Sequence, residues 1–394
     1  MFLRCFTCDA RYGNEPTLYS CRKCDNPLEV VYEDAEFDRA TTFEGRGVWR
    51  YQPILPIQKA VTLGEGDTGL HLCERAGRDL GIPRLFVKNE GENPTGSFKD
   101  RGMTVGIAMA KAAGASAVGC ASTGNTSASM AAYAARAGLA ALVLLPAGKV
   151  ALGKLSQAIA HGAKIAQVEG NFDDAMKLVV ELSVKEKSVY LLNSLNPYRL
   201  EGQKTLAFEV CEALGDAPDA LVLPMGNAGN ISAIWKGFLE WKKLGRISRL
   251  PRMIGVQAEK AAPIARAWKA NAEYQAVANP ETLATAIRIG APVSWRKAMA
   301  ALKDSGGDAG TVTDDEILEA QQYLARSEGL FVEPASAVPI AYLLKKRLPL
   351  DGLKTVVCVT TGHGLKDPDA MSKAPVKMHQ VKPTLDAIRK VLEG

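Results

Sequence analysis

Short apolar runs alternate along this chain with longer alanine-rich or mixed stretches. Each apolar run predicts a β-strand, because it is short and is bounded by polar or turn-forming residues. The intervening stretches are long enough to form helices. The strands predicted in this way are 84–88, 116–120, 139–145, 163–168, 188–192, 221–225 and 356–359. Such alternation is typical of parallel sheets that helices cover on both faces.

The alternation predicts an α/β fold in which two doubly wound parallel sheets enclose a cleft, preceded by a small N-terminal module. We expect the module over 1–36, a large domain over 37–96 together with 205–394, and a small domain over 97–204. Ligands of open parallel sheets bind beyond the carboxyl ends of the strands. The loops that follow the predicted strands are therefore the candidates for a functional site.

The composition is that of an ordinary globular protein. The 394 residues are 47% hydrophobic and 23% charged, which suits two or three domains with sizeable cores. The formal net charge of +5 is too small for this length to indicate nucleic-acid binding. No run approaches the roughly 18 apolar residues of a membrane helix, and the first residues contain no secretory apolar segment. We therefore expect a cytoplasmic protein that binds neither nucleic acid nor membrane.

Four of the cysteines form two Cys-x-x-Cys pairs separated by 12 residues: Cys5, Cys8, Cys21 and Cys24. This pattern is typical of a zinc ribbon, in which four thiolates hold a structural zinc ion and fold a module that lacks a core of its own. The spacer is slightly shorter than usual, so knuckles without metal and a redox role remain alternatives. Few basic residues lie nearby, which favours a packing or assembly module over a nucleic-acid contact.

A single lysine, Lys99, lies in a loop between the strand 84–88 and an alanine-rich helix. We expect Ser97 to be the N-cap of this helix and Asp100 to complete a capping box. The positive end of the helix dipole then favours a neutral amine. A neutral amine attacks aldehydes, which suits covalent catalysis through a carbonyl cofactor. The alternative is a solvated lysine in the first turn of a helix.

Two further loops combine short polar side chains with the start of a helix, at 121–128 and at 226–232. Both are suited to anions, because amides at a helix N-terminus point towards a bound carboxylate or phosphate. Gly226 and Gly229 let the backbone approach such an anion closely. The glycine spacing fits neither a dinucleotide fingerprint nor a Walker loop. Ordinary capped strand-to-helix turns are the alternative.

The segment 193–205 predicts a second anion site. It combines amide and hydroxyl donors with Arg199 near the start of a helix, which is suitable for a phosphate. In the alternative, Arg199 and Glu201 are surface charges on a capped helix. A last strand ends in the hydroxyl pair Thr360 and Thr361.

The segments 95–103, 121–128, 226–232 and 356–367 resemble, in this order, those of the fold-type-II enzymes that use pyridoxal 5′-phosphate (PLP). This superfamily includes threonine synthases, serine and threonine dehydratases and cysteine synthases. The segment 193–205 and the glycine–asparagine run after the strand 221–225 resemble threonine synthases most closely. The resemblance extends over most of the chain.

The resemblance implies a role for each matched residue. Lys99 is the implied catalytic residue, which forms a Schiff base with PLP and then moves protons. The other implied cofactor contacts are Asn125, Gly226, Asn227, Ala228, Gly229, Asn230 and Thr361. The implied substrate contacts are Ser122, Thr123, Thr126, Asn193, Ser194 and Arg199.

Within this set, Asn125 is expected to bond the phenolic oxygen of the cofactor, and Thr361 to face its pyridine nitrogen. The large domain is then the one that binds the PLP phosphate, and the small domain carries Lys99. The hydroxyls of 122–126 are expected to bind the substrate carboxylate. Arg199 and its neighbours are expected to bind the substrate phosphate. His363 is a weaker candidate for a base, because Lys99 can transfer the protons itself.

The implied reaction is that of a threonine synthase. O-phospho-L-homoserine and water would give L-threonine and phosphate by γ-elimination and β-addition of water, in a homodimer. One alternative is a related PLP enzyme, such as a threonine or serine dehydratase, or a cysteate synthase in which another anion replaces phosphate. The other alternative is a zinc-ribbon binding protein with a degenerate enzyme core.

Overall fold

The computed structural model describes residues 1–40, 42–122, 124–148, 152–345, 352–368 and 379–393. Three sheets organise this part of the chain. Their strands are β1 Phe2–Cys5, β2 Arg11–Tyr12, β3 Leu28–Val31, β4 Leu70–Leu72, β5 Arg84–Asn89, β6 Ala117–Ala121, β7 Ala140–Pro146, β8 Lys164–Val168, β9 Tyr190–Leu191, β10 Ala220–Pro224, β11 Arg252–Ala258, β12 Asp308–Val312 and β13 Thr355–Thr360.

Helices connect and cover these strands. The α-helices are α1 Asp34–Arg39, α2 Glu74–Leu80, α3 Lys99–Ala112, α4 Asn125–Ala137, α5 Leu152–Ala160, α6 Phe172–Val184, α7 Tyr198–Gln203, α8 Thr205–Leu214, α9 Gly229–Lys243, α10 Pro263–Ala270, α11 Trp295–Asp304, α12 Asp314–Glu328, α13 Pro334–Leu344 and α14 Leu385–Glu393. Short 3-10 turns occur at Gly47–Ile54, Glu90–Glu92, Glu259–Ala261, Thr285–Ile287 and Gly364–Lys366. Across the described ranges, no helix has the length and apolar character needed to cross a membrane.

The larger sheet has the strand order β12-β11-β10-β13-β5-β4. All neighbouring strands are parallel except β4, which pairs antiparallel to β5 at the edge. Every residue of β10 and β13 is buried, because helices cover both faces of the sheet. The antiparallel edge strand is a feature that the alternation of strands and helices did not predict.

The smaller sheet has the order β8-β7-β6-β9, with all strands parallel. Its last strand, β9, is shorter than predicted. At its start the Ser188 amide still donates to the Leu182 carbonyl of α6, at 3.2 Å. Beyond its end a side chain takes over the hydrogen bonding: Asn193 Oδ1 accepts from the amide of Ala121 at 2.9 Å, and Asn193 Nδ2 donates to the Ala121 carbonyl at 3.1 Å. The expected architecture of two mostly parallel sheets is confirmed.

The N-terminal residues form a small antiparallel sheet of order β2-β1-β3. Its buried side chains, among them Leu3, Leu28 and Val30, belong to the same apolar cluster as Phe208 and Trp241 of the helices α8 and α9. The sheet therefore has no separate core, and packs as an extension of the main body.

The strands of the smaller sheet all lie within 97–204, and those of the larger sheet lie within 37–96 and 205–394. This distribution agrees with the proposed division of the chain. The boundaries themselves stay a prediction.

Candidate functional site

Lys99 is the first residue of α3, beyond the carboxyl end of β5. The loop before it is bonded to the chain that follows β13. The Phe98 amide donates to the Thr361 carbonyl at 3.0 Å, and the His363 amide donates to the Gly96 carbonyl at 2.9 Å. The parallel strands β5 and β13 end at the same edge of the larger sheet. The two backbone bonds therefore hold Lys99 and Thr361 close together.

The predicted capping box of Ser97 and Asp100 is wrong. Phe98 already has helical backbone angles (φ −56°, ψ −14°) and is itself the N-cap, without a side-chain bond. Asp100 instead accepts from the amide and hydroxyl of Thr95, at 2.7 and 2.6 Å, and from the Ser129 hydroxyl. Ser97 Oγ is buried without a hydrogen-bond partner.

The Lys99 amine is nevertheless suited to a nucleophilic role. Its pKa is lowered to about 7, chiefly by burial and also by the positive charge of Arg199, whereas the negative charge of Glu333 acts in the opposite direction. Desolvation and a like charge both disfavour the ammonium form. The expected neutral amine thus arises from burial, whereas the sequence suggested the helix dipole.

Arg199 lies beside α3 because glycines allow a close helix contact. A Cβ atom at Gly102 would lie 2.7 Å from the Arg199 carbonyl oxygen, and one at Gly106 would lie 3.2 Å from Arg199 Cγ. On the side of α7, a Cβ atom at Gly202 would lie 1.7 Å from the Arg101 carbonyl oxygen. Each helix thus approaches the backbone of the other, and the Arg199 stem reaches the helix that Lys99 begins.

The guanidinium of Arg199 has unused hydrogen-bond donors. The residue is only 3% exposed, and its Nε and Nη2 atoms have no partner. Burial lowers the pKa of Arg199 to about 10, but the group stays cationic at neutral pH. A buried cation with free donors favours an anion as its ligand. The alternative of surface charges is wrong, because Glu201 is also buried, at 1% exposure.

The other predicted substrate-binding residues differ in their surroundings. Both polar atoms of the Asn193 side chain bind the backbone of Ala121, and this contact holds the end of β6. Ser194 is partly buried. Ser122 Oγ accepts from the Gly124 amide at 3.4 Å, and Thr126 lies in the first turn of α4. Thr123, also expected to bind substrate, lies outside the described residues.

Asn125 contacts a residue that the sequence analysis missed. Its Nδ2 donates to both carboxylate oxygens of Glu333, at 3.1 Å each. Glu333 is buried, and burial raises its pKa. A Cβ atom at Gly362 would lie 2.6 Å from Glu333 Oε1. The sequence signal was a lone acidic residue directly before Pro334, at the start of an otherwise apolar helix.

The end of β13 carries a fixed hydroxyl. Thr361 Oγ1 lies 2.9 Å from Ser336 Oγ, which also accepts from the Gly362 amide at 2.8 Å. Ser336 is a second residue for which the sequence analysis assigned no role. His363 Nδ1 accepts from the Leu365 amide at 3.2 Å. This contact supports a backbone-anchoring role for His363.

The run 226–230 follows β10 and opens α9. Ala228 has the left-handed angle φ +61° and is the N-cap of the helix, a conformation that is uncommon for residues other than glycine. A Cβ atom at Gly226 would lie 3.2 Å from the Ala286 carbonyl. Asn230 is buried with neither polar atom of its side chain bonded. Free amides and an unpartnered buried carboxamide form a cradle suited to an anion.

This glycine–asparagine cradle, 226–230, lies next to α7. A Cβ atom at Gly229 would contact Leu200 Cδ2 at 3.4 Å, and Leu200 follows Arg199. Asn227 accepts from the Ser294 amide through its carbonyl, at 3.1 Å, and from the Val293 amide through its side chain, at 3.4 Å. The cradle and the Arg199 site are therefore adjacent but built from different elements.

Comparisons with known proteins agree with this site. Residues 61–362 match the family model described as "Pyridoxal-phosphate dependent enzyme". The chain is 52% identical to the threonine synthase of Methanocaldococcus jannaschii, with 100% of both chains covered. It is 51% identical to the threonine synthase of Methanosarcina acetivorans, over 100% of this chain and 98% of the relative. The chain belongs to the threonine synthase family of PLP-dependent enzymes.

The fold of this family member agrees with that assignment. Maize serine racemase is similar with a TM-score of 0.65 and 20% identity, over 83% of this chain and 92% of the racemase. At this identity the likeness shows the fold-type-II architecture alone.

The residues present fit PLP. A partly buried amine with a lowered pKa at Lys99 suits the aldehyde, and the cradle offers free donors where a cofactor phosphate would need them. The buried Thr361–Ser336 hydroxyl pair offers a neutral partner for a ring nitrogen. Lys99, the cradle and Thr361 each follow a strand of the larger sheet, and Ser336 lies in α13.

The four N-terminal cysteines of this family member come together. Their Sγ atoms all lie within 4.8 Å of one another, and three of the Sγ–Sγ distances are 3.5 Å. A tetrahedral zinc ion with bonds of about 2.3 Å requires sulfur separations of about 3.8 Å. The amides of Thr7 and Lys23 donate to the sulfurs of Cys5 and Cys21, each at 3.4 Å. This donor set fits a closed, structural zinc site.

Proposed function

We propose that this chain is a threonine synthase, which converts O-phospho-L-homoserine and water into L-threonine and phosphate with PLP as cofactor. The observation that carries the proposal is the buried Arg199 side chain, whose stem packs against the helix that begins at Lys99 and whose Nε and Nη2 donors have no partner. Full-length identity of 52% to a threonine synthase supports the same reaction.

PLP, when bound, supplies an electron sink for negative charge on substrate carbons. The Lys99 amine would hold the cofactor through its aldehyde, and would be available as a base once substrate is bound. The Nζ atom of Lys99 would then take the α-proton of the substrate, and would take a β-proton only after giving up the first. A lysine pKa of about 7 allows Nζ to accept and return protons near neutral pH.

Arg199 has the role of binding the substrate phosphate and stabilising the charge that develops as this group leaves. A desolvated cation acts strongly on such a charge, because little water screens it. A dehydratase substrate has no phosphate. The Arg199 site, which is a second anion site beside the cofactor cradle, would have no ligand in that reaction. This contrast favours threonine synthesis over the dehydratase alternative.

The remaining predicted residues orient the reactants. Ser122, Thr123 and Thr126 would bind the substrate carboxylate, with Asn193 and Ser194 beside the phosphate. Asn125 would bond the phenolic oxygen of the cofactor, and Glu333 is placed to orient the Asn125 amide.

The proposal includes a structural zinc ion held by Cys5, Cys8, Cys21 and Cys24, for which the sulfur distances are the support. It also includes a homodimer in the cytoplasm, which the family resemblance alone supports.

The test is to supply the purified protein and PLP with O-phospho-L-homoserine, and separately with L-threonine and L-serine. We expect phosphate release with matching threonine formation from the first substrate. Formation of 2-oxoacids from threonine or serine, without phosphate release from phosphohomoserine, would indicate a dehydratase instead. Phosphate release that yields a sulfonated product only when sulfite is added would indicate an anion-replacing enzyme.

A further inference from the structure

The three-stranded N-terminal sheet lies directly against the segment that carries Arg199. Tyr198 donates its hydroxyl to Asn14 Oδ1 at 2.9 Å, and Tyr32 donates its hydroxyl to Glu201 Oε2 at 3.0 Å. Tyr198 and Glu201 flank Arg199 in α7. The N-terminal module, 1–36, therefore contacts α7 on both sides of the arginine.

The module also holds the chain that leads into this helix. The Leu191 amide donates to the Tyr19 hydroxyl at 3.1 Å. The rings of Tyr19 and Tyr190 pack edge to face, with their centroids 5.7 Å apart. These contacts lie at the end of β9, just before Asn193, so the module spans the whole segment from 190 to 201.

These contacts originate close to the cysteines. Tyr19 precedes Cys21 by two residues, and Asn14 follows Tyr12, whose hydroxyl lies 3.1 Å from Cys21 Sγ. Tyr32 follows β3, which pairs with the strand that ends at Cys5. A metal ion that fixes the four sulfurs would also fix the residues that contact α7.

The segment with Arg199 needs such support. A helix of six residues is unstable by itself. The Arg199 guanidinium is buried with two unpartnered nitrogens, which is costly until an anion is bound. The remaining contacts must therefore hold α7 in place, and they come from α3, from α9 and from the module.

An ionic cluster at the same interface strengthens the connection. Lys236 donates to the Val30 carbonyl at 2.6 Å and also to Glu201. The Lys204 amine lies 4.3 Å from the centroid of the Tyr32 ring and bonds Glu201 at 2.7 Å. Displacing the module would remove the Tyr32 hydroxyl from Glu201 and the Val30 carbonyl from Lys236, which is costly because these groups are largely desolvated.

We propose that the metal-bound N-terminal module acts as a support for α7, and so sets the affinity of the enzyme for the substrate phosphate. The inference rests on the proposed function, in which Arg199 binds that phosphate. Tyr19, Asn14 and Tyr32 are then positioning residues, which act through α7 and do not touch the reactants.

The first experiment removes the metal. Cys8→Ser with Cys24→Ser changes the two exposed sulfurs of the site, and metal content is measured directly. In the holoenzyme we expect the KM for O-phospho-L-homoserine to rise at least about ten-fold, with a much smaller change in kcat, because small misplacements of binding groups are costly. The cofactor absorbance band should persist.

The second experiment leaves the cysteines intact. Tyr19→Phe with Tyr198→Phe removes two hydrogen bonds between the module and the 190–201 segment, and should raise the KM about five-fold or more. The matched control is Lys297→Met, which removes the 2.8 Å bond from Lys297 to the Leu28 carbonyl, a module contact to α11. This control should leave the KM unchanged.

Two readouts are independent of turnover. Hydrogen exchange should accelerate in 190–203 and not in α4 when the metal or the tyrosine hydroxyls are removed. Binding of inorganic phosphate to the holoenzyme, measured by calorimetry, should weaken by the same factor as the KM rises. These two readouts still test whether the N-terminal module supports α7 if the wild-type enzyme proves to act on another substrate.

An unchanged KM and unchanged exchange in the double tyrosine variant would overturn the inference. So would loss of the cofactor band in parallel with substrate affinity, because it would show a general loss of structure and not a local one. If the cysteine variant fails to fold, the double tyrosine variant alone decides.

Discussion

The two proposed anion sites differ in how they are built. The glycine–asparagine cradle lies within five consecutive residues, and its donors are largely backbone amides at the start of α9. The Arg199 site draws on α7, the glycines of α3 and the N-terminal module. The donors of the cradle therefore depend mainly on local conformation, with distant contacts at Gly226 and Asn227, whereas the Arg199 site is assembled by packing between elements that are distant in sequence.

The difference indicates which site determines the substrate and which site serves the shared cofactor. A backbone cradle serves any reaction that needs the same cofactor. A buried arginine on a short helix is easily gained, lost or moved without altering that cradle. We therefore expect substitutions at the Arg199 site to change substrate use with the cofactor retained, and substitutions in the cradle to change cofactor affinity first.

The largest effect is expected from Arg199→Ala. Removing the partner of a desolvated anion should lower kcat/KM for O-phospho-L-homoserine on the order of 1,000-fold, while the cofactor absorbance stays at the wild-type level. Steady-state phosphate release measures this change. Arg75→Ala, at an exposed position of α2, is the control. Loss of the cofactor band in Arg199→Ala would remove the distinction between the two sites.

In the cradle we expect Ala228→Val to weaken PLP binding about ten-fold, because a branched side chain is strained at a left-handed position. Ala228 has φ +61°. Ala228→Gly is the matched control, which tolerates that angle and should keep the wild-type affinity. Fluorescence titration of the cofactor-free enzyme with PLP distinguishes the two variants. Equal affinities would show that the backbone conformation does not build this site.

Gly106→Ala should disturb the Arg199 site through packing alone. The new Cβ atom would lie 2.7 Å from Leu192 Cδ2 and 3.2 Å from Arg199 Cγ. We expect the free energy of unfolding to fall by about 1–3 kcal/mol, and the KM for phosphohomoserine to rise with PLP affinity unchanged. Urea unfolding and steady-state kinetics measure both quantities. A change in PLP affinity alone would contradict this assignment.

The smallest effect concerns the electrostatic coupling between Arg199 and Lys99. With a Lys99 pKa of about 7, attachment of PLP to the cofactor-free enzyme should be fast above that pH. Below it, the rate should fall about ten-fold for each pH unit, because only the neutral amine attacks. Arg199→Ala should move the midpoint to higher pH, since a neighbouring positive charge is lost. Stopped-flow absorbance measures the midpoint, and an identical midpoint would exclude the coupling.

The sequence predicted what is local. Strand, loop and helix follow one another at Lys99, at Asn125 and at 226–232 much as their residues indicated. The cap of α3 was mispredicted, because the turn is set by distant contacts: the Phe98 amide bonds the Thr361 carbonyl, and Asp100 bonds Thr95 and Ser129. Local residue types could not show these partners.

The residues that the sequence did not reveal are those whose partners lie far away along the chain. Glu333 contacts Asn125 across 208 positions, and Tyr32 contacts Glu201 across 169. The sequence pattern assigned no role to Glu333 or Tyr32, because their partners are too far away along the chain. Only the packing of the two sheets and of the N-terminal module brings them to the site.

The proposed reaction depends most on Lys99. Borohydride reduction of the PLP-loaded enzyme, followed by proteolysis and peptide mapping, locates the residue that is joined to the cofactor. We predict one modified peptide, containing Lys99, with parallel loss of phosphate release from O-phospho-L-homoserine. Modification of another lysine, or of none, would contradict the account.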